Sequence, residues 1–346
     1  MDPEEWKQGI PCEKDYLPFC SGCKPKVLRH KERNSQHLSD DYTIRRSQGG
    51  ESDGTFGSES YIGYRIALGA LRRLRPRLEG EALEHYLQSI RPSLLSLRKR
   101  YRNMRVENGY SQEEDQHAYL LGYLPPYFWT ASSVLNRDEL KVLTSRQSVT
   151  AAFLCAGPGT EAAALTHLLK SRADRPRRLD IELLDIDCDE WAPVQSAVLR
   201  EVVQLPGAME VSHRSRFMDL TKPETLSEHR EIFERCNLVM MQNCLNEVPD
   251  DGHSIDALSM VWSFMPSESH LVLTDLKYSA WENVAVTLRK RIEAGSIPSA
   301  SSFQQMTEKK FMEKVPNILS INFFQNEDFL RARTEMKFGY LIFTKA

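Results

Sequence analysis

Residues 151–165 read AAFLCAGPGTEAAAL. Small and apolar residues from Ala151 to Cys155 form a buried strand, Gly157-Pro158-Gly159 a turn, and Thr160 opens a helix. A glycine turn between strand and helix lets a ligand lie against bare backbone, with the first amides of the helix pointing at it. A second apolar strand, IELLDID (181–187), ends in acid, and its Asp185 lies 28 positions after Gly157. A glycine turn on one strand and a carboxylate on the tip of the next is how nucleoside cofactors are held. Gly157, Gly159 and Ala162 also satisfy the dinucleotide pattern G-x-G-x-x-G/A, so the turn alone leaves more than one nucleoside cofactor open.

Outward from this run, strands and helices alternate, the signature of a parallel sheet covered by helices. The expected strands are 150–155, 181–186, 209–217, 237–242 and 270–275. The expected helices are 160–172, 190–203, 224–234, 253–264 and 281–294. NILSINFF (317–324) and KFGYLIFTK (337–345) are expected as two strands, paired antiparallel to close the sheet. Before the glycine run the pattern is helical. Tyr64, Leu68, Leu71, Leu74 and Leu78 recur at three- and four-residue spacing, and a second helix spans Glu81 to Tyr101 with a bend or break at Pro92. A third, Glu113 to Tyr123, is expected to stop at LPPYFW, and a fourth lies around Ala131 to Leu143.

With these residues in place, 149–346 resemble the class I S-adenosylmethionine-dependent methyltransferase superfamily. The resemblance implies an α/β fold, a seven-stranded Rossmann-like methyltransferase sheet with an antiparallel C-terminal hairpin, here preceded by an α-helical N-terminal domain. It implies that Cys155, Gly157 and Gly159 pass under the methionine part and ribose of S-adenosylmethionine, with Cys155 standing where many members carry an acid. It gives Asp185, or Asp187 one step on, to the ribose hydroxyls. In Phe217-Met218-Asp219, the apolar Met218 and the acid Asp219 would meet adenine. The fourth strand, NLVMMQNCLNEV, would aim Gln242, Asn243, Asn246 and Glu247 at the sulfonium and substrate. Asp275, Lys277 and Tyr278 follow the fifth. The expected cofactor-binding set is therefore Cys155, Gly157, Gly159, Asp185, Asp187, Met218, Asp219 and Gln242. The expected catalytic set is Glu247, Asn243 and Tyr278, with Glu247 the first candidate for a general base. The aromatic run Tyr119, Tyr123, Tyr127, Phe128, Trp129 could pack on a planar substrate or join one domain to another.

A nicotinamide-dependent oxidoreductase is the third choice. The motif sits mid-chain, the later strands end in acids in methyltransferase order, and dehydrogenases lack the closing hairpin. LPPY at 124–127 is similar to the D/N-PPY motif of amino-methylating nucleic-acid enzymes. It lacks the polar first residue and precedes the first strand instead of following the fourth.

The chain has 346 residues, 41% apolar, with a net charge of −3. The charge is unevenly spread: Ser60 to Val106 carries ten Arg and one Lys against three Glu, about +8, so the rest sums to about −11. Such a basic stretch suits an anionic partner, and RNA is the expected acceptor, with a small molecule or protein side chain as alternatives. A further alternative is an assembly factor that binds S-adenosylmethionine without transfer. Residues 1–58 are an irregular basic arm and linker, in which Cys12, Cys20, Cys23 and His30 could bind structural zinc. Residues 59–148 are a helical substrate-facing domain and 149–346 the methyltransferase domain. No apolar run approaches the ~20 residues of a membrane span, no leader is visible, and seven cysteines suggest reduced thiols; an intracellular, cytoplasmic protein is expected.

Overall fold

The structure, a computed structural model, describes residues 62–102, 110–245, 253–276, 279–294, 299–304, 314–325, 330–333 and 335–346. Strands β1 (Ser148–Leu154), β2 (Arg178–Asp185), β3 (Glu210–Phe217), β4 (Leu238–Gln242), β5 (His270–Leu276), β6 (Ser299–Gln304) and β7 (Phe338–Lys345) order as β3-β2-β1-β4-β5-β7-β6. The first five run parallel; β7 is antiparallel to both β5 and β6.

Strands β1, β2, β4 and β5 are largely buried on both faces because they alternate between two cores. Ala151, Phe153, Ile181, Leu183, Leu238 and Met240 enter one core; Ala152, Leu154, Leu184, Val239 and Met241 enter the other. Strands covered on both sides are near-continuous apolar runs, as the sequence of β1 and β4 shows. Helices α6 (Thr160–Ser171) and α7 (Cys188–Val203), linking β1 to β2 and β2 to β3, contribute to the first core. Helices α8 (Pro223–Glu228), α9 (Arg230–Phe233), α10 (His253–Phe264) and α11 (Ser279–Ala294) contribute to the second. Parallel crossovers are right-handed, so reversing the direction of winding moves the helices to the other face. The reversal falls between β1 and β4, where such sheets open a crevice at the strand ends.

The helical region joins the first core. Helices α1 (Ile62–Leu74), α2 (Gly80–Ser89), α3 (Arg91–Arg102), α4 (Glu113–Gly122) and α5 (Leu124–Leu135) bury Leu71, Leu87, Leu94, Leu121 and Phe128 in the same cluster as Phe153. Residues 57–346 thus form one compact unit. The break expected at Pro92 is real: α2 ends at Ser89 and Pro92 sits in the first turn of α3, where its missing N–H costs nothing. Pro125 and Pro126 have the same effect. They end one helix and also start the next, with LPPYFW as the opening of α5.

Two expectations are corrected. NILSINFF is not a strand: Asn317–Asn322 is a short helix, α12, burying Leu319 and Asn322 three positions apart. The antiparallel C-terminal pair is instead β6 with β7, and β6 comes from SASSFQ. The arginines of the helical region also serve the fold. Arg75 pairs with Glu113 at 2.6 Å and Arg100 with Asp115 at 2.6 Å, Arg73 pairs with Glu201, and Arg91 donates to the Ile321 carbonyl at 2.8 Å. Buried lysines cap two helices. Lys170 Nζ donates to the Val203 carbonyl ending α7, and Lys345 Nζ to the Trp262 and Ser263 carbonyls near the end of α10.

Candidate functional site

The strand tips of β1, β2 and β4 place most of the expected residues together. Gly157 (φ +46°) and Gly159 (φ +80°) hold left-handed conformations, and Gly159 is the N-cap of α6. A side chain at either position would be strained whatever space surrounds it. The turn is braced from three sides. The Gly157 amide donates to Asp185 Oδ2 at 2.8 Å, and the Asp187 amide donates to Asp185 Oδ1 at 2.9 Å. The Gly157 carbonyl accepts from Gln195 Nε2 at 2.7 Å, and Gln195 Oε1 accepts from Ser215 on β3. Gln195 is fully buried on α7, 38 positions from the turn, and no motif in the sequence marks it.

Asp185 is buried, and burial pushes its pKa up although two backbone amides favour the charged form. A carboxylate offers about four acceptor positions, so two remain for a ligand after those amides. Asp187 is the N-cap of α7, half-buried, and its side chain makes no cap bond. Burial, with help from Glu190, raises it too. Between and beside these acids stand two exposed apolar side chains, Ile186 at 41% and Phe217 at 49%, with Phe217 opposite Asp185 in the β2–β3 register. The expected Met218 lies buried in the second core with Leu184, Leu220 and Phe233. Its neighbour Phe217 holds the accessible apolar surface. Asp219 serves a local turn. Its Oδ1 accepts from the Thr221 amide and hydroxyl, and its Oδ2 pairs with Lys222 at 2.9 Å. Burial opposes its charge, but these bonds win and hold it below the usual carboxylate range.

Other polar groups at these strand ends and at the start of α6 are less complete among the described residues. Glu161, in the first turn of α6, is 6% exposed and its Oε2 is buried without a hydrogen-bond partner. Burial pushes its pKa up to about 8, and the charge of Asp185 adds to this. Gln242 ends β4; its Nε2 donates to the Tyr127 carbonyl at 3.0 Å, while its buried Oε1 has no partner. Asn243 follows with φ +55°, and both atoms of its side-chain amide are buried without partners among the described residues. Buried polar atoms are nearly always satisfied, so a cluster of exceptions at strand tips marks a place where a ligand or water supplies the bonds.

Cys155 and Cys244 are joined by a disulfide between the tips of β1 and β4, with Cα atoms 6.3 Å apart. The expectation of reduced thiols is corrected for this pair; Cys188 and Cys236 are free and buried. The aromatic run packs internally. Tyr119 stacks on Tyr123 with ring centroids 4.9 Å apart, Trp129 meets Phe338 at 6.2 Å, and the Arg333 guanidinium lies 4.9 Å from the Tyr123 ring. Glu247, Tyr278, Asn246 and Lys277, and the zinc candidates Cys12, Cys20, Cys23 and His30, lie outside the described residues. Among the described residues no group of three or more His, Cys, Asp or Glu could hold a metal ion, and no helix is long and apolar enough to cross a membrane.

No protein-family model matches this chain. No curated protein matches it either. Solved structures do. A precorrin 8w decarboxylase from Methanobacterium thermoautotrophicum is 11% identical with a TM-score of 0.35, over 63% of this chain and 90% of its own. DhpI, solved as its SAH complex, is 14% identical with a TM-score of 0.35, over 74% and 97%. An rRNA methylase from Streptococcus thermophilus is 8% identical with a TM-score of 0.34, over 64% and 94%.

Proposed function

We propose that this chain is a class I methyltransferase that binds S-adenosylmethionine in the crevice between β1 and β4. The observation that supports this most is the pairing of a braced glycine turn with unsatisfied buried polar atoms at the reversal point of this sheet. The residues fit the group. Gly157 and Gly159 give it bare backbone, Asp185 and Asp187 offer acceptors to a vicinal diol, and Ile186 with Phe217 offer apolar surface to a purine. Glu161 supplies a carboxylate to a ligand that carries positive charge, and Gln242 and Asn243 supply donors and acceptors on the far side.

S-adenosylmethionine, when bound, supplies an activated methyl group. The work left to the chain is to hold the acceptor in line and exclude water. Asn243 is our candidate to orient an acceptor, and Glu247 is our candidate to take its proton where the nucleophile carries one. RNA is the acceptor we favour, because Arg65, Arg72, Arg77 and Lys99 remain exposed on the helical region. A small-molecule acceptor, or cofactor binding without transfer, is the competing reading.

Calorimetry with S-adenosylmethionine and S-adenosylhomocysteine tests the cofactor, and labelled methyl transfer to RNA and to protein tests the acceptor. We expect micromolar binding of both nucleosides; no binding overturns the proposal. RNA binding should weaken with salt, the log–log slope steepening by about 0.7 per phosphate neutralised on a single strand. A flat slope removes RNA.

A further inference from the structure

The disulfide spans the two strands between which the sheet reverses direction. Cys155 is the residue after β1 and Cys244 the second residue after β4, 89 positions apart in the chain. In open α/β sheets the ligand crevice lies outside the carboxyl ends of the strands at this point. The bridge therefore joins the two strand ends that border the proposed site. Its flanks carry the two marks of an incomplete state. Cys155 (φ +52°) and Asn243 (φ +55°) both hold a left-handed conformation that residues other than glycine rarely adopt. Beside the bridge, Asn243 Oδ1 and Nδ2 and Gln242 Oε1 are buried and unpartnered. Each such atom carries a desolvation cost that a ligand's polar groups would relieve.

We infer that Cys155 and Cys244 form a thiol–disulfide site that closes the crevice when oxidised and opens it to the nucleoside cofactor when reduced. This rests on the cofactor proposal above. The co-reactant is a dithiol in one direction and a small disulfide in the other. Cys155 is half-exposed and Cys244 buried, so a dithiol thiolate attacks Cys155 Sγ. The Sγ–Sγ bond breaks, Cys244 leaves as thiolate and takes a proton. The second thiolate of the reductant then attacks its own sulfur in the mixed disulfide, closing a cyclic disulfide. Cys155 leaves as thiolate and takes the second proton. The protein gains two electrons and two protons, and the dithiol loses the same. Reduced, the tips of β1 and β4 lose their covalent link beyond the β1–β4 ladder, which ends at Leu154 and Met241, while the Asn243 and Leu245 amides still donate to the Thr274 carbonyl and Asp275 Oδ2 of β5.

The test is calorimetry of S-adenosylhomocysteine with the full chain, held reduced with dithiothreitol or oxidised with a small disulfide that is then removed. Peptide mapping follows the Cys155–Cys244 cross-link. We expect the oxidised protein to bind at least ten-fold more weakly than the reduced protein. The variants C244S and C244A, which keep every other cysteine, should lose the effect of the oxidant, while circular dichroism reports whether each has folded. Equal affinity of the two wild-type forms, or an oxidant effect that persists in folded C244S, overturns the inference and leaves the cofactor proposal standing. A cross-link that does not respond to dithiol also overturns it. Absence of binding by every form removes the cofactor proposal and this inference together.

Discussion

The two sides of the crevice are built differently. On the β2 side the turn is tied by hydrogen bonds: Asp185 accepts two amides, and Gln195 ties the Gly157 carbonyl to β3 through Ser215. At the end of β4, Gln242 and Asn243 keep buried side-chain atoms with no hydrogen-bond partner among the described residues, and so does Glu161 in the first turn of α6. A hydrogen-bonded network holds its shape before anything binds, so on our proposal the β2 side is preorganised for the nucleoside. An incomplete one is less stable alone than with its partner, so the β4 side is where binding has most to gain. The difference fits a cofactor that is held at its nucleoside end and reacts at the other.

The largest break comes from Asp185. D185A removes the acceptor of two backbone amides and, on our proposal, a ribose ligand. With hydrogen bonds to charged groups contributing about 1.5–3 kcal/mol each, S-adenosylhomocysteine affinity should fall by about 100-fold or more in calorimetry. D185N retains one acceptor oxygen and should fall between. Binding unchanged in D185A would show that the braced turn is only a fold element.

Glu161, in the first turn of α6 and raised in part by the charge of Asp185, sharpens the comparison. Its ordinary value is 4.5 and burial raises it to about 8 in the folded protein. Between these two values the native state binds more protons than the unfolded chain. Stability from this group is therefore full below about pH 4.5 and is lost as pH rises through about 8. E161Q removes that titration. It should leave stability near pH 4.5 almost unchanged and raise it at pH 8.5 by roughly 1–3 kcal/mol, read by denaturant unfolding. The same variant should bind S-adenosylhomocysteine more weakly at pH 8.5, since it no longer offers a carboxylate. A variant more stable and equally good at binding would place Glu161 in the fold and out of the site.

What was legible in the sequence divides along the same line. The β2 side could be read because its parts are close in sequence and patterned. A buried strand, two glycines with left-handed φ and an acid ending the next strand follow in order, and two-faced burial makes such strands conspicuous. The β4 side depends on contacts between distant residues. Cys155 and Cys244 meet only because β1 and β4 become neighbours when the winding reverses, and spacing carries no trace of it. Gln195 was hidden as one polar residue on an apolar helix face. NILSINFF failed for another reason: a short apolar run suits strand or helix equally. Here Leu319 and Asn322 turn inward together, while Ile321 stays 68% exposed.

Phe217 and Met218 give the smallest effect and the sharpest local contrast. Both end β3 or follow it directly, both are apolar, and the alternation of a strand sends neighbours to opposite sides. Met218 is 1% exposed in the second core; Phe217 keeps about half its surface accessible beside Ile186. An apolar side chain left in water at a strand tip contributes little to folding and can contribute to a bound base. F217A should therefore unfold within about 0.5 kcal/mol of wild type and lose roughly three- to ten-fold in S-adenosylhomocysteine affinity. M218A should do the reverse, losing about 2–5 kcal/mol of stability by truncating a buried side chain while the folded fraction keeps its affinity. If both variants lost stability and neither lost affinity, the exposed apolar pair would have no part in binding, and the nucleoside side of the crevice would be defined by its acids alone.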